Sequence, residues 1–228
     1  MAPLEITLEG SSIISRDAER AILLVNVSSE GTSQEAVSED VTSTSNKLVK
    51  IFKELAPKDE DGNATPDAPV TVFSITSSNT RSWIPSASRN NENVQLPRQF
   101  EASTDFNVIF RDFEKLSEVT STLFKMPHTT VENTEYILTD RTKEDLGSES
   151  RKAALRDAIQ KAHDYAEVVG KNVMAVEIKD QGSSSGGRTK QTARRNNYKT
   201  SPSHVDGLSV EPEDVELKSS VEVKFVAE

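Results

Sequence analysis

The sequence predicts an α+β fold, in which long helices pack on the face of a mainly antiparallel or mixed β-sheet. Strand-like segments occur in adjacent pairs separated by helices, whereas a doubly wound parallel sheet would alternate single strands with helices. Two long segments also carry apolar residues at the spacing of amphipathic helices. Hydrophobic residues form 34% of the 228 residues, so we expect a packed core with part of the chain outside it.

Two strands are predicted at the start of the chain. Apolar residues at positions 4, 6 and 8 alternate with polar ones, which is the period of a half-buried strand, and the run Gly10-Ser11-Ser12 is expected to end it. The next strand, residues 21–27, is apolar on both faces at its centre. That pattern indicates a central position in a sheet.

A long amphipathic helix is predicted over residues 33–55. Thr32 and Glu35 have the spacing of a capping box, in which the two side chains bond free amides at the start of a helix. Apolar residues then follow at spacings of three and four, and Pro57 ends the helix.

The middle of the chain contains further strands and a shorter helix. Strands are predicted from Val70 toward Trp83 and over residues 100–110. Asp112 or a nearby residue is expected to open the second helix, whose apolar stripe runs through residues 116–124.

The last third is predicted as strand, long helix and two more strands. The strand covers residues 131–138, and the helix covers 142–169 with Gly170 at the position of a left-handed cap. The final strands are predicted over 173–178 and 215–226. We treat residues 1–228 as a single domain with three inserted flexible loops, at about 57–69, 84–98 and 182–211.

The composition excludes several classes of function. The chain has 27 basic and 37 acidic residues, a net charge of -10, and such a surface repels a phosphate backbone, so nucleic acid is not an expected partner. It has no cysteine, which excludes disulfides, thiolate zinc sites and cysteine nucleophiles. No apolar run approaches the roughly 20 residues of a membrane helix, and the first residues lack a secretory signal pattern. We therefore expect no membrane partner and a cytoplasmic or nuclear location.

The long helix near the C-terminus carries small residues on one face and closes with glycine. This segment resembles the hallmark of the SIMPL family, also called domain of unknown function 541, which is an Ala-rich helix of the form A-x-x-D-A-x-x-K-A-x-x-x-A-x-x-x-G. The matching positions are Ala154, Asp157, Ala158, Lys161, Ala162, Ala166 and Gly170.

Three other segments are similar to the same family, so that the resemblance covers nearly the whole chain outside the loops. Residues 4–10 resemble its first strand, 19–31 its second strand and the turn that follows, and 106–116 a strand with an acidic link to a helix. The chain departs from the pattern at Ala18, where the family often has proline before the acidic residue, here Glu19.

The resemblance implies interaction rather than catalysis. Bacterial members resemble envelope proteins linked to stress tolerance, some of which assemble into large rings, and the animal member is an adaptor that binds a receptor-associated kinase. The missing export signal and the added loops indicate an intracellular, eukaryotic member. The family supplies no catalytic positions to transfer.

No motif for catalysis, a cofactor or a metal is present in the sequence. His128, His163 and His204 have no second histidine at a metal-ligand spacing. The acidic loop at 57–69 does not have the ligand spacing of a calcium-binding EF-hand. Phosphate-binding glycine motifs and the nucleophile elbow are absent as well, so we expect the chain not to be an enzyme and assign no catalytic, cofactor or metal residues.

Trp83 is the single tryptophan and a candidate partner-binding residue. Large aromatic side chains often anchor protein interfaces. The alternative is that Trp83 packs in the core or at its rim.

One basic segment is a second candidate for partner binding. Its seven residues are identical to a stretch at the N-terminus of the histone three tail, and the next residue, Arg195, replaces a lysine there. The alternative is a flexible basic loop that matches by chance or serves as a localisation patch. The candidate residues are Arg188, Thr189, Lys190, Gln191, Thr192, Ala193 and Arg194.

We interpret the chain as a non-enzymatic protein-interaction or assembly module that self-associates. One alternative is an enzyme or a small-molecule-binding protein with a site that no motif reveals, which a deep pocket with convergent polar groups would favour. Another is that residues 187–195 act as a histone-tail-like ligand or modification substrate.

The histone-like segment predicts modification at Lys190. Because the segment itself has almost no apolar side chains to bury, we expect it to be accessible to a lysine methyltransferase. Mass spectrometry after incubation of the full chain with a histone lysine methyltransferase should find methyl groups on Lys190, and fewer in Arg188→Ala and Gln191→Ala. If a histone peptide is turned over while Lys190 stays unmodified, the segment is only a basic loop.

Overall fold

The computed structural model describes residues 4–85, 96–187 and 212–227. Its elements follow the predicted order, and its two sheets are antiparallel, so the α+β prediction is confirmed. The elements are β1 (Leu4–Arg16), β2 (Arg20–Gly31), α1 (Gln34–Leu55), β3 (Val70–Trp83), β4 (Gln99–Phe110), α2 (Phe113–Leu123), β5 (Thr129–Ile137), α3 (Asp140–Val169), β6 (Val173–Gly187) and β7 (Val215–Ala227).

The described residues fall into two compact units. The first, here the α3 unit, contains residues 4–19, 136–187 and 212–227. The second, here the α1 unit, contains residues 20–85 and 96–135. That the chain behaves as a single domain stays a prediction.

The α3 unit is a three-stranded sheet in the order β1-β7-β6 with α3 on one face. Alternate residues of β7 face the helix and are buried, whereas the residues between them are more exposed. The helix meets this face with alanines, as predicted for the Ala-rich segment. The buried cluster consists of Ala154, Ala158, Ala162, Val221, Val223 and Phe225.

Gly10 lies inside β1, and the prediction that Gly10-Ser11-Ser12 ends this strand was wrong. Gly10 pairs with Val221 in the β1–β7 ladder. A Cβ atom at Gly10 would lie 2.1 Å from the carbonyl oxygen of Ala154 and 2.7 Å from the amide nitrogen of Ala158. The glycine is therefore needed because the helix backbone passes directly over the strand, and the strand continues beneath it.

The start of α3 is capped by a residue distant in sequence. Glu19 accepts hydrogen bonds from the amide of Thr139, at 2.6 Å, and from the hydroxyl of Thr142, at 2.8 Å. A carboxylate at this end is favourable because free amides and the helix dipole both attract negative charge. At the other end Gly170 has φ of 65°, which confirms the predicted left-handed cap.

The α1 unit is a four-stranded sheet in the order β3-β4-β2-β5, with α1 on one face. The interior position of β2 confirms the central strand predicted at residues 21–27. The rings of Phe73 and Phe106 lie 6.0 and 6.1 Å from the ring of Phe52 on the helix. The N-cap is Ser33, whose side chain accepts from the amide of Ala36, and not Thr32 as the capping box predicted.

The acidic loop at 57–69 is organised by hydrogen bonds. The Asp59 carboxylate accepts from the amides of Asp61 and Asn63, at 3.1 and 2.8 Å, and Gly62 takes the positive φ of 82° that the turn requires. The amide of Thr65 donates to the carbonyl of Pro57. The flexibility of the loop stays a prediction.

The strand β6 continues to Gly187, so residues 182–187 are not the loop that their composition predicted. Residues 183–187 pair with residues 219–215 of β7. A backbone ladder needs only a partner strand, and this Ser-Gly run has one although it lacks an apolar pattern. The rest of that predicted loop, residues 188–211, and most of the one at 84–98 lie outside the described residues.

A polar row crosses the face of the four-stranded sheet that α1 does not cover. The Asp105 carboxylate of β4 accepts a hydrogen bond from Asn26 of β2, at 2.6 Å, and a short one from the hydroxyl of Ser77 of β3. These bonds, first that of Ser77 and then that of Asn26, hold the pKa of Asp105 below its ordinary value.

Substitution of Gly10 by alanine should destabilise the protein. The new methyl group would clash with two backbone atoms of α3, which cannot move aside as a flexible side chain could. We expect a loss of about 2–3 kcal/mol in the free energy of unfolding, measured by urea denaturation.

The matched control is Gly147→Ala within α3. Its Cβ would lie 3.4 Å from the end of the flexible Arg151 side chain, and alanine in a helix interior gains up to about 1 kcal/mol over glycine. Equal effects at Gly10 and Gly147 would contradict the close approach of strand and helix.

The Asp105 row predicts a pH-dependent contribution to stability. Because the pKa of Asp105 is lowered in the folded state, its contribution is fully present above the unfolded-state pKa and is lost as pH falls through the folded-state pKa. The difference in free energy of unfolding between wild type and Asp105→Asn should therefore shrink as the pH is lowered from neutral into the acidic range. A difference that stays constant over this range would show that the ionised carboxylate does not stabilise the sheet.

Candidate interaction surface

The strand β6 is an edge of the three-stranded sheet. It pairs with β7 along one side, and within the described residues no strand pairs with its other side. From Met174 to Ser183 every residue is exposed. A strand edge of this kind presents backbone donors and acceptors that another strand could satisfy.

Large apolar side chains lie along this edge. Met174, Val176 and Ile178 are 63%, 55% and 54% exposed. Ile178 is opposite Val223, which the helix buries, whereas Met174 is opposite Val226 on the other face. Apolar surface is thus exposed on both faces of one strand, which is more typical of a binding surface than of a solvated edge.

Charged residues alternate with the apolar ones. Lys179 lies between two carboxylates, with its Nζ 3.8 Å from Glu177 Oε1 and 3.0 Å from Glu222 Oε1. The hydrogen bond to Glu222 is the main cause that raises the pKa of Lys179. Lys179 therefore keeps its positive charge throughout the physiological range.

The opposite edge of the same sheet is capped by its own helix. Lys161 donates to the carbonyl oxygen of Glu9 at 2.9 Å, and Asp157 accepts from the amide of Ser11 at 2.9 Å. The hydrogen bond from Lys161 is the main cause that lowers the pKa of Asp157. These side chains occupy backbone groups of β1 that a further strand would need, so β6 is the more open edge of this sheet.

Two irregularities bound the regular part of β6. The pairing with β7 shifts between Ala175 and Glu177, and again between Asp180 and Ser183. At the second shift Gly182 has φ of 85°, and its amide donates to the Asp180 carboxylate at 2.8 Å. A short stretch, residues 177–180, therefore remains regular between two bulges, which limits the strand length open to a partner.

The β6 edge was not among the candidates that the sequence indicated. The alternation of Met174, Val176 and Ile178 was the available signal, but the same pattern is typical of a strand with a buried face. Only the sheet order shows that these residues lie at an edge.

The candidate Trp83 lies at the end of β3, half-buried and paired with Gln99. The guanidinium carbon of Arg81 is 5.2 Å from the Trp83 ring centroid, and Arg81 also forms an ion pair with Glu101. This cation–π contact holds the ring on the sheet. The role of Trp83 as a partner anchor stays a prediction, and the candidates Arg188 to Arg194 lie outside the described residues.

A cavity of about 720 Å³ lies in the α1 unit, between the end of α1, the loop at 57–69 and the start of β3. Its polar lining comes from Lys53, Lys58, Asn63 and Thr71. Elsewhere, no group of three His, Asp or Glu side chains within the described ranges is arranged to hold a metal ion. Nor is any helix of those ranges both long and apolar enough to cross a membrane.

One protein-family model matches most of the chain. This model, described as SIMPL, protein of unknown function (DUF541), matches residues 6–225. A comparison with curated protein sequences gave no significant match. Since the family model covers nearly the whole length, from within β1 to within β7, the chain belongs to the SIMPL family.

Proposed function

We propose that this SIMPL-family protein is a non-enzymatic protein-interaction module that binds a polypeptide strand along β6. The observation that carries the proposal is an open strand edge with three exposed apolar side chains, Met174, Val176 and Ile178. Strand addition to a sheet edge is a general mode of peptide recognition.

Two kinds of interaction would contribute to such binding. Backbone hydrogen bonds along the edge would add affinity with little regard to sequence, because every residue except proline offers the same groups. The side chains that alternate between the two faces would select the partner, since Ile178 lies on the helix-covered face and Met174 on the other.

The animal family member described as an adaptor supports this class of function by resemblance. The alternative of an enzyme or a small-molecule site rests on the cavity beside the loop at 57–69. Within the described residues its lining supplies two lysines, an amide and a hydroxyl, but no carboxylate or imidazole to pair with them. We therefore favour the strand edge over the cavity.

A photo-crosslinking amino acid placed at Val176 should form adducts with other polypeptides. The full-length chain would be irradiated in concentrated lysate of its native cells, and the adducts identified by mass spectrometry. The expected result is a small set of adducts in which the partner peptide is attached at position 176.

The matched control places the same amino acid at Val168, a valine that is 85% exposed and belongs to α3 rather than to the strand. Adducts should be rare from this position. Equal yields from both positions, or none from position 176, would contradict binding at the edge of β6.

A further inference from the structure

We infer that the strand added to β6 is the β6 of a second copy of this chain, in antiparallel register with Ile178 opposite Ile178. The inference rests on the proposed function, because it takes the β6 edge as the binding surface and names its occupant. The observations that carry it are the order of charges along β6 and the state of the opposite sheet edge.

Two-fold symmetry restricts the register. When two identical antiparallel strands continue one sheet, the axis passes between a residue and its own copy, and residues equally distant on either side face each other. The residue that faces its own copy across this axis is here called the centre of the pairing. Within the regular stretch between the bulges, it can only be one of residues 177–180.

Charge selects among these centres. A centre on Glu177 would place two carboxylates opposite each other, a centre on Lys179 would place two ammonium groups together, and a centre on Asp180 would again pair two carboxylates. Like charges directly opposite each other destabilise a strand pair. A centre on Ile178 instead places Glu177 of each copy opposite Lys179 of the other, twice.

Burial favours the same centre. Ile178 is 54% exposed although it lies on the face that α3 covers, because it is at the rim of that face. A second Ile178 directly opposite would cover both side chains, and apolar pairs across strands stabilise a sheet. A pairing centred on Ile178 thus buries apolar side-chain surface at its centre, and the central residue itself carries no charge that would have to be desolvated.

The assembly would close at two copies through this surface. Within the part of the chain that the structure describes, β6 is the one open edge of the α3 unit, since Lys161 and Asp157 occupy backbone groups at the β1 edge. An interface that uses the same patch on both subunits consumes that patch when the dimer forms. The bulges on either side of residues 177–180 also keep the paired segment short.

Charge reversal provides a test that distinguishes a second copy from any other partner. In Glu177→Lys the introduced lysine would face Lys179 of the other copy, and in Lys179→Glu the introduced carboxylate would face Glu177 of the other copy. In a dimer of one copy of each variant, the introduced lysine would face the introduced glutamate and the native Lys179 would face the native Glu177, so mixing the two variants should restore association. The double variant, which carries both changes in one chain, would again place opposite charges at both pairs.

Each single variant should dimerise at least about tenfold more weakly than wild type, since two cross-strand pairs change from attraction to repulsion. Sedimentation velocity of the full chain, over concentrations up to the high micromolar range, measures these affinities. We expect dimers for wild type, weakened association for each single variant, and recovery of near wild-type affinity in the double variant.

A matched control reverses a charge elsewhere on the same sheet. Lys218→Glu lies on β7, away from the edge, and should dimerise like wild type. Thermal unfolding checks that each variant is folded.

The outcomes separate this inference from the proposed function. A monomeric wild type, or a double variant that associates no better than the single variants, overturns the second copy as occupant. If position 176 then still crosslinks to a different protein, the interaction module stands with another partner. If it crosslinks to nothing, both ideas fail.

Discussion

The approach of the α3 backbone to β1 is the constraint on which the α3 unit depends. Gly10 has no side chain, and the helix turns above it contribute Ala154 and Ala158, so that backbone atoms of the two elements come nearly into contact. Larger residues at these positions would lift the helix and open space above Val221 and Val223. Because interiors are close-packed, such a gap would forfeit contacts along the length of the helix.

The same approach decides which strand edge remains open. With the helix close to β1, Lys161 and Asp157 of α3 reach the backbone of Glu9 and Ser11. The helix therefore protects the β1 edge of its sheet, while β6 on the far side of β7 has no comparable cap among the described residues. The close packing of α3 on β1 thus stabilises the unit and also makes its two strand edges different, with β1 capped and β6 open.

Local pattern in the sequence was sufficient to predict the helices, their faces and the cap at Gly170. The strand β2 could be placed inside a sheet because the centre of residues 21–27 is apolar on both faces. Features that depend on distant partners could not be predicted. Gly10 looks like a turn residue until α3 is placed above it, and the cap of α3 comes from Glu19, which is 120 residues away from Thr139.

The candidate surface was harder to predict for the same reason. The extension of β6 through the Ser-Gly run requires knowledge of β7, which supplies the ladder. The exposure of Met174, Val176 and Ile178 requires knowledge of sheet order, because the period-two pattern is the same at a buried and at an open edge. The choice between Thr32 and Ser33 as N-cap could not be made from residue type, since both carry a hydroxyl that can accept from a free amide.

Because Gly187 of β6 pairs with Val215 of β7, the segment that connects these two strands could vary in length among related proteins. The two strands are fixed side by side at that point, so the chain that joins them begins and ends at neighbouring places whatever its length. For a connection between two fixed ends, each doubling of its length costs only about 0.6 kcal/mol more. Relatives could therefore lengthen, shorten or replace this connection, and acquire or lose a short binding motif within it, without disturbing the register of the sheet.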